Sequence, residues 1–146
     1  QVFLKRYGVN AELTSTLRCA FHKYTFKNGQ GKKLIADLAM ANERIRSWET
    51  KQAGDNVFQG FQQGGEKMYF YATTNLKIKN IESLKKDTKE ISVVNFIDSP
   101  EPLELKIGFS YVSIANAKEN LEKEMLGKSL HQVRDESTKT WEPFLS

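Results

Sequence analysis

A chain of 146 residues, 39% hydrophobic and 27% charged, has the make-up of one globular domain able to bury roughly 70% of its unfolded surface. A net charge of +4, scattered apart from short pairs at Lys32-Lys33 and Lys85-Lys86, argues against a nucleic-acid partner. The single cysteine, Cys19, excludes an internal disulfide, and no stretch approaches the ~20 apolar residues of a membrane span.

The chain opens on Gln1-Val2-Phe3-Leu4, strand-like from its first residues, with no initiator methionine and no signal peptide. The expectation is a piece of a larger protein. Val2 to Arg6 and Val9 to Leu17 flank Tyr7-Gly8 and predict a hairpin. Residues 18 to 26 continue extended, with Phe21, Tyr24 and Phe26 favouring strand. A loop over Lys27 to Gly31 precedes an apolar strand, Leu34 to Met40. Glu43 to Thr50 alternates, placing Arg44, Arg46 and Trp48 on one face. Gly54-Asp55-Asn56 is a turn, and Val57 to Gln62 and Lys67 to Thr73 form a second hairpin about Gly64-Gly65. Met68 to Ala72 is apolar on both faces, as in a central strand covered on two sides. Further strands follow at Asn75 to Leu84 and Ile91 to Ile97.

After the rigid connector Ser99-Pro100-Glu101-Pro102, the period changes. Leu103, Leu105, Ile107, Phe109 and Tyr111 alternate with Glu104, Lys106, Gly108 and Ser110, a strand with one apolar and one polar face. Ile114, Ala117, Leu121 and Met125 then recur at helical spacing. Ser113 is the N-cap and Gly127 ends this helix. Ser129 with Gln132 forms a capping box for a second helix, which sets Leu130, Val133, Ser137 and Trp141 on one side and stops at Pro143. The pattern predicts a mainly β fold: an antiparallel two-layer β-sandwich over 1–112, followed by two C-terminal linker α-helices over 113–146.

The chain contains no phosphate-binding glycine loop. His22 and His131 lack metal-ligand spacing, and no metal site is expected. Cys19 and His22 lie three apart on one strand and face opposite ways, which rules out a nucleophilic pair. His22 shares a strand face with Arg18, Ala20, Tyr24 and Phe26. That face is read either as a polar domain contact or as a hydrogen-bonded sheet histidine. Trp48 could serve as a platform for sugar C–H groups, or simply pack. Glycoside hydrolysis needs two flanking carboxylates. None of the 18 acidic residues sits in a motif marking such a pair, and Asp37, in its apolar run, reads as a structural carboxylate.

Two segments resemble the amino-terminal domain of glycoside hydrolase family 92, the calcium-dependent α-mannosidases. One is ELTSTLRCAFHKYTF at Glu12 to Phe26. The other is LKIGFSYVSIANAKENLEKE at Leu105 to Glu124, followed by Val133-Arg134 and Trp141. The resemblance implies a β-sandwich linked by helices to an (α/α) barrel that carries the carboxylates for inverting hydrolysis and the calcium ligands. No catalytic or calcium-binding residue transfers to this chain. The expected role is therefore a non-catalytic part of an exo-α-mannosidase acting on mannose-containing glycans, periplasmic, cell-surface or secreted. Its partner is the barrel of the same polypeptide, with Arg18, His22 and Trp141 as interface candidates and Trp48 as the carbohydrate-binding candidate. The fragment needs no cofactor, while Ca2+ is expected in the parent enzyme. Apolar surface around Trp141, Phe144 and Leu145 suggests self-association of the fragment. The alternative reading is a stand-alone carbohydrate-binding sandwich using Trp48.

Overall fold

The computed structural model describes residues 2–4, 9–26, 33–36, 47–86, 89–125 and 127–136. Asp37, Arg44, Arg46, Ser137, Trp141, Phe144 and Leu145 lie outside them. A seven-stranded antiparallel sheet has the order β1 (Val2–Leu4), β2 (Val9–Ser15), β3 (Cys19–Phe26), β10 (Leu103–Ser110), β7 (Lys67–Thr74), β6 (Val57–Gln63), β5 (Ser47–Gly54). A three-stranded antiparallel sheet has the order β4 (Lys33–Ala36), β9 (Lys89–Phe96), β8 (Ile78–Lys86). The chain leaves the large sheet after β3 and again after β7 to build the small one. It returns through Pro100 and Pro102 to insert β10 between β3 and β7.

Strand alternation divides each central strand between two cores. Phe58, Phe70, Ala72, Leu103 and Leu105 project from one face of the large sheet and pack with Leu76, Ile78, Val94 and Phe96. This is the interior of the sandwich. Full burial of each Leu or Phe here stabilises by about 1.5–3 kcal/mol. The opposite face carries Cys19 and Phe21, which pack with Leu121, Met125, Leu130 and Val133 from two helices. The central strands are thus covered on both sides, as the apolar run Met68 to Ala72 predicts, with Tyr71 packed against this second core.

The helices form where the local signals place them. In α1 (Ile114–Met125), the Ser113 hydroxyl accepts the Asn116 N–H at 3.0 Å, filling one orphan donor of the first turn. Gly127 takes φ +71°, the left-handed stop that glycine adopts without strain. The second helix, α2 (130–136), has a reciprocal capping box. Gln132 N–H donates to Ser129 Oγ at 3.2 Å, and Ser129 N–H donates to Gln132 Oε1 at 2.8 Å.

The alternation in β10 separates the two faces correctly, but its polar face is largely covered: Gly108 and Ser110 are buried, and Glu104 and Lys106 are only partly exposed. Lys106, Gly108 and Ser110 lie beneath α1. Gly108 is buried, and a Cβ there would fall 2.2 Å from the Ala117 carbonyl oxygen. Lys106 Nζ donates to the Met125 carbonyl at 3.3 Å, at the helix C-terminus where a cation is favoured, and lies 5.1 Å from the Phe21 ring centroid. Burial holds its ammonium below the ordinary lysine range, partly opposed by Glu104.

Candidate functional site

One end of the large sheet is shaped by two chain reversals. The first, between β2 and β3, spans Thr16 to Arg18. The second, Tyr111 to Ser113, takes the chain from β10 into α1. They face each other across an open cleft of about 550 Å³ whose apolar lining includes Leu17, Cys19, Met68, Phe109, Tyr111 and Val112. Leu17 is 84% exposed, Tyr111 67% and Val112 74%, more than any other large hydrophobic among the described residues. Scattered single exposures are ordinary, whereas here three stand together on one rim.

Polar bonds fix this rim. Ser110 Oγ donates to Asn116 Oδ1 at 2.7 Å and accepts the Val112 N–H at 2.9 Å. That leaves the Tyr111 and Val112 side chains turned to solvent. Asn120, 3% exposed, donates through Nδ2 to the Phe109 carbonyl at 2.8 Å and accepts from Arg18 Nη1 at 3.2 Å. The Phe109 N–H donates to the Arg18 carbonyl at 2.9 Å. Glu124 Oε1 accepts from the Thr16 hydroxyl and from the Arg18 N–H at 3.2 Å. Its Oε2 lies 3.3 Å from Arg18 Nε, an ion pair without an aligned hydrogen bond. Helix α1 therefore clamps the β2–β3 turn.

Beneath the rim, the Cys19 thiol is pushed up to about 12, chiefly by burial and next by the Glu124 carboxylate, against smaller opposing effects of Thr16 and Arg18. It is a protonated, inert packing group at neutral pH. Among the described residues, the cleft lining holds no aspartate, glutamate or histidine. The side chains it does present are mainly apolar. Among the described residues, no three His, Cys, Asp or Glu side chains gather where they could hold a metal ion.

The fold disperses the candidate residues read from the sequence. Arg18 precedes the first residue of β3, so strand parity does not govern it, and its guanidinium reaches α1. His22 lies on the opposite, inner face, where its Nδ1 is hydrogen-bonded to Tyr24 Oη at 2.9 Å. Burial lowers the His22 pKa and raises that of Tyr24. Trp48, half-buried, lines a separate groove of about 490 Å³ between β5 and β8, the edge strands of the two sheets. Leu17, Tyr111 and Val112 escape sequence reasoning. The available signal was a pair of large apolar residues, Tyr111-Val112, directly before an N-cap serine, where a solvated reversal would be polar.

Comparison with known proteins adds the family context. The family described as glycosyl hydrolase family 92 N-terminal domain matches residues 1–123. No curated protein gives a significant match. Among solved structures, a family 92 α-mannosidase from Bacteroides thetaiotaomicron superimposes with a TM-score of 0.81 at 20% identity. That match covers 96% of this chain and 22% of the other. A family 92 inverting mannosidase from the same organism gives 0.77 at 15% identity, covering 94% and 21%. A further family 92 glycosyl hydrolase gives 0.80 at 20% identity, covering 94% and 20%. The chain spans about a fifth of the length of these solved proteins.

Proposed function

This chain belongs to the glycosyl hydrolase family 92 N-terminal domain family, and from that membership we propose a non-catalytic role. It serves an exo-α-mannosidase by docking the catalytic (α/α) barrel of the same polypeptide and walling one side of the active-site cleft. The barrel supplies the carboxylates and the Ca2+ site, and the substrate is a mannose-containing glycan.

The observation that carries this reading is the rim of Leu17, Tyr111 and Val112. Three large apolar side chains stand in water beside the point where the last strand hands over to helices. Such a surface is stabilised when a neighbour covers it, at about 25 cal/mol per Å² of apolar area. The clamp of Asn120, Arg18 and Glu124 holds the rim in one shape before any neighbour arrives, so little ordering entropy is lost on docking.

Two measurements test the reading. The 146-residue chain alone should not hydrolyse an aryl α-mannoside, with or without calcium. In the longer polypeptide that the reading requires, amide exchange at Leu17, Tyr111 and Val112 should slow relative to the chain alone. Tyr111→Asp should reverse that protection and lower mannoside turnover. Chelator-sensitive hydrolysis by the chain alone, or unchanged exchange at the rim, would refute the proposal.

A further inference from the structure

We propose that the groove along the open edge of the sandwich binds a neutral pyranoside, with the Trp48 indole as the platform for the sugar ring. The proposal is independent of the docking role, which concerns the other site.

β5 ends the large sheet and β8 ends the small one, so their edges flank a groove rather than a closed core. Inward-facing positions of β5 are Trp48, Thr50 and Gln52, registered against Gln62, Gly60 and Phe58 of β6. Deeper in the sandwich the same face carries Phe58, Phe70 and Leu105. At the edge the strand instead carries an aromatic ring, a hydroxyl and the Gln52 amide, whose Nε2 donates to the Gly54 carbonyl at 3.0 Å. The opposite wall adds Asn80, Ile81 and Ser83. An aromatic face beside neutral donors and acceptors matches a pyranose, which has an apolar C–H face and a hydroxyl rim.

Two further observations narrow the ligand. Among the described residues, the charged groups of the lining are Glu49, Glu82, Lys51 and Lys79, two of each sign. An uncharged ligand fits that balance. Thr50 lines the groove, and its Oγ1 is shielded from solvent with no hydrogen-bond partner. Native structures rarely leave such a hydroxyl unpaired. A sugar hydroxyl, which can both donate and accept, is a partner of the kind this hydroxyl lacks.

The test is a titration of the isotope-labelled 146-residue chain with methyl α-mannopyranoside, methyl α-glucopyranoside and a methyl glucuronide, followed by amide and indole NMR. Saturable shifts at the Trp48 indole and at the Thr50 and Asn80 amides are expected with the neutral glycosides, and weaker ones with the glucuronide. Trp48→Ala should abolish them. Thr50→Val, which keeps the side-chain shape, should weaken binding about threefold to tenfold, the range of one neutral hydrogen bond. If Trp48→Ala fails to fold, Thr50→Val decides the matter. No saturable shift, shifts centred on Leu17 and Tyr111, equal binding of the glucuronide, or unaltered affinity in Thr50→Val would each overturn the proposal.

Discussion

Adding one methyl group at Gly108 should lift α1 from the sheet. The new Cβ would lie 2.2 Å from the Ala117 carbonyl oxygen and 3.0 Å from Leu121 Cβ. Ordinary heavy-atom contact begins near ~3.5 Å, so the helix must retreat by about 1 Å, a gap that forfeits up to about half of the local dispersion energy. Leu121 and Met125 are buried by this contact, and each is stabilised by about 1.5–3 kcal/mol when fully packed. Half of that at both residues, with about 1 kcal/mol for a stretched Asn120–Phe109 hydrogen bond, gives a loss of about 3 kcal/mol. For a chain of this length that lowers Tm by about 6–12 °C. Thermal unfolding followed by circular dichroism would measure it, with Gly54→Ala as the control. A Cβ at Gly54 meets Val57 Cβ at 3.6 Å, an ordinary contact, and should change stability by less than about 0.5 kcal/mol. If Gly108→Ala melts within about 2 °C of Gly54→Ala, the close seat of α1 is not what stabilises this face.

Two further outcomes follow from the buried titratable groups. Cys19, with its thiol pushed up to about 12, should resist alkylation at about pH 8 in the native chain and react only on unfolding; stoichiometric native labelling would contradict its burial. His22 is held below its ordinary value of 6.5 by burial, so the unfolded chain takes up its proton at the higher pH. Its contribution to stability is therefore constant above the unfolded value and is lost as pH falls through 6.5 toward the folded value. The urea midpoint should drop between about pH 7.5 and about pH 5.5. His22→Gln should flatten that drop, and an undiminished slope in the variant would assign it to other groups.

The parts of this fold that were legible in the sequence are those set by local physics. Ser113, Gly127 and the Ser129–Gln132 box cap the helices as read because a cap is decided within a few residues. The alternation of β10 separates its two faces correctly because side chains in a strand have period two. Alternation does not say what lies over a face: Glu104, Lys106, Gly108 and Ser110 read as a polar face, with no sign in the period of the helix that covers it. The small residues Gly108 and Ser110 were the clue that something approaches closely there. Arg18 was assigned to the face of His22 by counting back through a strand that starts only at Cys19. The cleft was not legible, since residues 15–20 and 109–120 meet only through the insertion of β10 beside β3.

That insertion also explains why the cleft and the helix seat behave as one unit. Phe109 sits between them. Its N–H is held by the Arg18 carbonyl on one side, and its carbonyl accepts from Asn120 on the other. Asn120 in turn accepts from Arg18, and Glu124, one helical turn on, holds Thr16 and Arg18. The position of the Leu17 turn is thus set by α1, not by β2 and β3 alone. Gly108 determines how close α1 comes, and Ser110 fixes the Tyr111-Val112 reversal through Asn116 on the same helix. All three rim side chains therefore take their place from the face of β10 that looked polar. The helix is part of the surface a partner would meet, because without it the rim has no fixed shape.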